Sequence, residues 1–293
     1  MKQNVLVVGA GGQLGRELQR TVPPGVDCAA VTRAQLDIAD ATAVDACLQS
    51  IAPQLVINAA AYTAVDKAES EREAANRGNA EGPGVLAEAC ARQGIRLSHV
   101  STDFVFDGNA STPYRPDATT SPLGEYGHSK LAGEEAVLRA QPEALVVRTG
   151  WVYSSFGGNF VKTMLRLMGE RDELGVVCDQ VGTPTWANGL ATALWAAAAK
   201  PDLAGIYHWS DAGVCSWYDF AVAICEEGVC SGLLPAAISI KPILASAYPT
   251  PARRPSYSVL DKTSSWRDFE LEGVHWREQL RTMLNDLKEM GNG

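Results

Sequence analysis

The stretch "VVGAGGQLG", residues 7–15, decides the architecture. It ends an apolar run that starts at Asn4 and sets Gly9, Gly12 and Gly15 at intervals of three before "GRELQRTV" (15–22) takes up a helical pattern. Strand, glycine turn and helix in that order let a backbone come close to a pyrophosphate. The first turn of the helix then offers free N–H groups to the phosphate oxygens. A glycine pattern alone says little, but between a strand and a helix it predicts a dinucleotide site.

Outward from this turn the chain repeats strand and helix. Strands are expected at "NVLVVG" (4–9), "DCAAV" (27–31), "QLVINAA" (54–60), "IRLSHVS" (95–101) and "ALVVRT" (144–149). These apolar runs lack strict alternation, as in strands buried on both faces of a parallel sheet. Helical patterns separate them, and Gly78, Gly82, Pro83 and Gly84 predict a break in the third. The expected class is α/β: a doubly wound parallel-sheet NAD(P)-binding Rossmann domain with a smaller α/β C-terminal substrate domain. Residues 1–150 form the first, with 186–209 returning to it, and 151–293 form mainly the second. In that half "WYDFAVAICEE" (217–227) and "WREQLRTMLNDLKEM" (276–290) read as amphipathic helices, and "SAYPTPARRPSYSVLD" (246–261) as a loop.

Bulk composition narrows the partners. Of 293 residues, 46% are hydrophobic and 20% charged, enough apolar material for a large core. The balance of 25 basic against 34 acidic side chains argues against nucleic acid or an anionic membrane surface as partner. No run approaches the roughly 20 apolar residues of a membrane helix. "MKQNVLVVGAGG" reads as strand and turn and not as a signal peptide. Seven scattered cysteines without a C-x-x-C spacing fit reduced thiols and a cytoplasmic location. The closest pair, Cys225 and Cys230, is expected to pack as small apolar side chains.

The chemistry lies at the ends of the strands. The second strand runs out in "AAVTRAQLD", with Thr32 and Arg33 where an acid would bond the adenosine ribose of NAD. An arginine there pairs with a 2′-phosphate, so NADPH is the expected cofactor, NADH being possible. Asp37 and Ile38 follow beside the adenine, and the small residues of "NAAAYT" (58–63) let a flat cofactor lie against the backbone. The fourth strand ends "HVSTDFVFDG", placing Ser101, Thr102 and Asp103 where ligands bind in open parallel sheets. The helix that opens "EYGHSKLAGEEAVL" (125–138) carries Tyr126 and Lys130 one turn apart on one face, with His128 pointing away.

A hydride delivered to a ketone leaves an alkoxide that needs a proton. A free tyrosine, with a pKa of about 10, is too weak an acid at neutral pH. The Lys130 ammonium is expected to stabilise the phenolate, a thousandfold gain in acidity costing about 4 kcal/mol. Thr102 would hold the substrate carbonyl.

With these residues the chain resembles the dTDP-4-dehydrorhamnose reductase family of the extended short-chain dehydrogenase/reductase superfamily. The resemblance runs from the first strand to about residue 262. It is carried by "NAAAYTAVDKAE", "STDFVF", "SPLGEYGHSKLAGE", "RTGWVY", "GNFVKTMLRL", "DQVGTPT" and "SAYPTPARRP". It implies NAD(P)H-dependent reduction of the C4 ketone of dTDP-4-dehydro-β-L-rhamnose to dTDP-β-L-rhamnose, for cell-surface polysaccharide such as O-antigen. It implies Thr102, Tyr126 and Lys130 as the catalytic trio, with Lys130 also on the nicotinamide ribose. Gly12, Gln13, Leu14, Asp37, Ile38, Ala61, Tyr62 and Thr63 would line the cofactor. Asp103, Trp151 and Val65 would meet the deoxysugar, and Arg254 the substrate pyrophosphate.

Some members dimerise around magnesium held by glutamates, one in the first helix and one after "PT". Here Glu17 fits the first position but Asn188 stands at the second, and a carboxamide is a weaker ligand for a hard cation. The expectation is no metal and a monomer or metal-free homodimer. Two alternatives remain open: a reductase of another nucleotide-linked 4-keto-6-deoxysugar, or a non-catalytic dinucleotide-binding subunit resembling the regulatory subunit of methionine adenosyltransferase.

Overall fold

The computed structural model describes residues 3–291. Its main strands are β1 (Gln3–Val8), β2 (Val26–Val31), β3 (Leu55–Asn58), β4 (Arg96–Thr102), β5 (Leu145–Thr149), β6 (Glu173–Val177), β7 (Gly205–His208) and β8 (Ser239–Ile243). Six of them form one parallel sheet in the order β7-β5-β4-β3-β1-β2. Along β1, Val5 and Val7 enter one apolar cluster, while Leu6 and Val8 enter another on the opposite face. Both faces are therefore buried, which is why the sequence shows unbroken apolar runs.

From β1 the chain crosses to β2 on one side and later to β3 on the other. The winding direction thus reverses between β1 and β3, and the crevice at their carboxyl ends is where such sheets take ligands. Helix α1 (Gln13–Arg20) leaves β1 into that crevice, and α2 (Ala41–Ile51) follows β2 with Asp40 as its N-cap.

The third helical stretch departs from expectation. Short helices Val65–Ala68 and Arg72–Asn76 are followed by a π-helical turn at Arg77–Glu81 and then α3 (Gly82–Gln93). The glycines do not interrupt the helix from Arg72 onward; they let it pass close to its neighbours. A Cβ on Gly82 would lie 2.6 Å from Ile38 Cγ1, and one on Gly84 3.2 Å from the Ala136 side chain. Ala136 belongs to α4 (Glu125–Ala140).

The C-terminal half contains α5 (Phe160–Glu170), α6 (Ala187–Ala198), α7 (Trp217–Ser231), α8 (Thr263–Phe269) and α9 (Trp276–Gly291). Helices α5, α7 and α9 surround a separate apolar core with the parallel pair β6 and β8. Helix α6 packs through Leu190, Ala191 and Leu194 on Leu14 and Leu18 of α1, and β7 completes the main sheet beside β5. Phe269 of α8 joins that same cluster, a return to the sheet the sequence did not suggest.

All seven cysteines are free thiols. Cys225 is buried as expected, but Cys230 is exposed on the last turn of α7, so the two do not pack together as an apolar pair. Among the described residues no helix is long and apolar enough to cross a membrane.

Candidate active site

The glycine turn is shaped by two close approaches and one opening. Gly9 has φ +87°, and a Cβ there would lie 2.6 Å from the backbone nitrogen of Ala60. A Cβ on Gly15 would lie 2.2 Å from Gly9 O, so α1 can only rest against the strand if this residue is bare. Gly12 is different: its Cβ would be 3.4 Å from Gly9 O, an ordinary contact. Packing within the chain therefore does not demand a glycine at Gly12, whereas close approach of an outside group does. Gly12 is also the N-cap of α1 and supplies no side-chain cap, which leaves the first-turn N–H groups available to an anion. Gln13 is anchored by Asn159, which donates to its side-chain oxygen at 2.9 Å, and Leu14 is buried.

The other cofactor candidates ring this turn. Arg33 is exposed just past the end of β2. Asp37 pairs with Arg77 at 2.8 Å, which holds its carboxyl below the usual range, and Ile38 is buried beneath it. Ala61 and Thr63 are exposed and Tyr62 half-buried. The backbone of Tyr62 is fixed from both sides by one side chain: its N–H donates to Asn79 Oδ1 at 2.8 Å, and its carbonyl accepts from Asn79 Nδ2 at 3.0 Å.

Thr102, Tyr126 and Lys130 converge at the carboxyl end of β4. Helix α4 comes close because Gly127 is bare: a Cβ there would lie 2.3 Å from Phe104 O. The Tyr126 ring meets Phe104 edge-on at 5.5 Å. Lys130 is 2% exposed, and its Nζ donates to Val100 O at 2.7 Å. Burial lowers its pKa to about 8, against an upward pull from Glu134 one turn further on. His128 is exposed, as expected.

Two expectations about this group need correcting. Burial pushes the Tyr126 phenol up to about 12, the Thr102 hydroxyl pulls it down and Asp103 pushes it further up. The Lys130 ammonium donates to Val100 O and not to the phenol. Burial thus keeps the phenol protonated, and the Tyr126–Lys130 spacing does not of itself make it acidic. Nor is the Thr102 hydroxyl free: it donates to Asp103 Oδ1 at 3.1 Å and accepts from the N–H of Phe104 at 3.2 Å.

Asp103 is 2% exposed and its Oδ2 lacks a hydrogen-bond partner among the described residues. Gly150 is pressed against the carboxyl, where a Cβ would lie 2.6 Å from Oδ2. Burial pushes its pKa up to about 6, against the pull of the nearby Ser258 and Thr102 hydroxyls.

Of the residues expected to meet substrate, Trp151 directly follows Gly150 with a left-handed backbone, φ +51°. For a non-glycine residue this costs about 1–3 kcal/mol and recurs at functional sites. Val65 opens the short helix after the "NAAAYT" loop and is half-buried. Arg254 is not free, since its Nη1 and Nη2 bond both oxygens of Asp66 at 3.0 and 2.8 Å.

Glu17, the possible metal ligand, is wholly buried. It accepts from Ser154 Oγ at 2.7 Å, Arg20 Nε at 2.9 Å and Asn188 Nδ2 at 3.1 Å. A carboxylate already answered by a guanidinium, an amide and a hydroxyl does not fit a magnesium ion.

Asn79, Glu134 and Arg148 were not singled out from the sequence. Arg148 on β5 and Glu134 on α4 form a buried bidentate pair, with Nη2–Oε2 at 2.6 Å. Asn79 also donates to Ser129 Oγ at 3.0 Å, and Ser129 donates to Tyr126 O at 2.8 Å. The only trace of Asn79 in the sequence is its place among the glycines of "RGNAEGPG" (77–84).

The described geometry has close counterparts. A family model for the RmlD substrate binding domain matches residues 1–289. The dTDP-4-dehydrorhamnose reductase of Escherichia coli (strain K12) is 42% identical over 292 residues, covering 97% of this chain and 98% of that protein. A Streptomyces antibioticus protein described as a probable dTDP-4,6-dihydroxy-2-methyloxan-3-one 4-ketoreductase is likewise 42% identical, over 288 residues, 96% of this chain and 95% of that one. Among solved structures, dTDP-4-dehydrorhamnose reductase from Bacillus anthracis in complex with NADP superposes with a TM-score of 0.92 at 35% identity, covering 98% of this chain and 100% of that one.

Proposed function

The chain belongs to the RmlD substrate binding domain family, and on that premise we propose that it is a dTDP-4-dehydrorhamnose reductase. It reduces the C4 ketone of dTDP-4-dehydro-β-L-rhamnose to dTDP-β-L-rhamnose with NADPH. The observation that carries the chemistry is the meeting of Tyr126 with Thr102 at the carboxyl end of β4, Lys130 buried beneath them. The nicotinamide cofactor, when bound, supplies the hydride. The turn Gly9–Gly15 fits its pyrophosphate, and Arg33 at the end of β2 favours the 2′-phosphate of NADPH over NADH.

Tyr126 gives its Oη proton to the oxygen at C4 as the alkoxide forms. Lys130 holds a positive charge below the site and reaches the nicotinamide ribose. Thr102 orients the phenol and, once its hydroxyl turns from Asp103, the substrate carbonyl. Asp103, Trp151 and Val65 face the deoxysugar. Arg254 reaches the diphosphate by exchanging the carboxylate of Asp66 for phosphate oxygens. The protein acts as a monomer or metal-free homodimer, an assembly supported by the filled coordination of Glu17. A cytoplasmic location is supported by seven free thiols.

The test is the oxidation of NADPH and NADH with dTDP-4-dehydro-6-deoxyhexoses, followed by identification of the product sugar. The expected product is dTDP-L-rhamnose. A different sugar, or the opposite C4 configuration, would assign the chain to another nucleotide-linked 4-keto-6-deoxysugar, a reading favoured by the equal identity to the Streptomyces antibioticus protein. Tyr126→Phe should abolish turnover while NADPH binding survives; near-normal turnover in that variant overturns the mechanism.

A further inference from the structure

Trp151 does not hold its position alone. Its indole lies flat on that of Trp217, ring centroids 3.4 Å apart and planes within 4°. The backbone of Gly182 closes on the same ring: a Cβ there would lie 2.7 Å from Trp151 Cε2 and Nε1. Gly182 pairs with Cys215 in a short antiparallel bridge, so both contacts come from one small unit of the C-terminal half. Trp217 is itself braced. It opens α7 directly after Ser216, which exchanges a reciprocal capping box with Asp219, and Phe160 packs against it at 4.7 Å.

Trp151 meanwhile follows directly on a segment that borders the candidate catalytic residues. Thr149 is the sheet partner of Thr102, and Gly150 abuts the Asp103 carboxyl.

We propose that Trp217 is a positioning residue for the sugar: it covers one face of Trp151 and holds its indole, borne on a left-handed backbone, as a flat wall beside Thr102 and Asp103. A flat aromatic face suits the apolar C–H edge and methyl group of a 6-deoxyhexose. Trp217 therefore acts on sugar affinity through Trp151, and the C-terminal half sets the wall of a site whose proposed reacting groups lie at the end of β4 and on α4. This rests on the reductase reading above.

The experiment compares the full-length wild type, Trp217→Ala and Trp217→Phe by kinetics and by ultraviolet circular dichroism. The stacked pair should give an exciton couplet that both substitutions remove. Trp217→Ala should raise KM for the dTDP-4-dehydro sugar about tenfold with a much smaller change in kcat and no change in NADPH affinity; Trp217→Phe, which still stacks, should recover most of the loss. An unchanged KM in Trp217→Ala after loss of the couplet overturns the proposal. So does a joint collapse of kcat, NADPH affinity and melting temperature, which marks a residue that merely holds the fold. If the wild type reduces no dTDP-sugar, the reductase reading fails; the clamp then stands or falls on the couplet and on calorimetric affinity for a dTDP-6-deoxyhexose in the same variants.

Discussion

Tyr126 and Lys130 are displaced by burial in opposite directions, and both displacements leave measurable traces. The phenol, pushed up to about 12, stays protonated across the physiological range, so its proton is present but held more tightly than in free tyrosine. Lys130, lowered to about 8, is cationic below that pH and neutral above it. Reductase activity should therefore fall as pH rises through about 8, well before an ordinary lysine would titrate; a rate flat to pH 10 would show that the ammonium is not required. Asp103 shifts the other way, from an ordinary 3.8 up to about 6. The native state then binds a proton more tightly than the unfolded chain, so stability from this group is present below pH 4 and lost as pH rises to 6. Holding the buried carboxylate costs up to about 3 kcal/mol at neutral pH. Asp103→Asn should accordingly raise the urea midpoint at pH 8 and leave it nearly unchanged at pH 4, and an equal effect at both values would refute the assignment.

Helix α4 carries Tyr126 and Lys130, the proposed catalytic pair, and its placement depends on bare backbone and one buried ion pair. A Cβ on Gly133 would lie 1.9 Å from Asn79 O, so the helix touches the π-helical turn directly. Asn79 in turn bonds the Tyr62 backbone and Ser129, tying the proposed cofactor loop to the turn that bears Tyr126. The Arg148–Glu134 pair fastens the same helix to β5, both side chains being at most 3% exposed. Arg148→Met should cost about 3–5 kcal/mol, because it strands Glu134 as a buried unpaired charge. Adding Glu134→Leu should recover most of that loss by removing the charge itself. Chemical denaturation of the single and double variants checks both; a double variant no better than the single would place the loss in packing.

Across the whole molecule the two halves are joined by polar ties. Glu17 on α1 accepts from Ser154 and Asn188, Arg20 reaches Asp286 of α9 at 2.6 Å, and Asp66 holds Arg254. The Glu17 tie occupies the place where the resemblance implied magnesium. Since its carboxylate is already satisfied, treatment with EDTA or added magnesium should leave melting temperature and elution volume unchanged. A drop in either on chelation would restore the metal.

The glycine spacing, the buried strand runs and the Tyr126–Lys130 spacing were legible in the sequence because each is a local requirement. A turn needs a bare residue, a doubly covered strand needs continuous apolar side chains, and one helical turn puts i and i+4 on one face. Ser101–Asp103 could be placed at a strand end for the same reason. Asn79, Trp217, the Arg148–Glu134 pair and the fate of Arg254 left no local signal. Each depends on a partner outside its own element: Tyr62, Trp151, β5 against α4, and Asp66. The ionisation of Tyr126 belongs with them, since the sequence supplied a lysine one turn away but only folding turned its ammonium to Val100 O. Local periodicity settled the sheet and placed Tyr126 and Lys130 on one helical face; their charge states and restraints arose from burial and from contacts that exist only once separate segments meet.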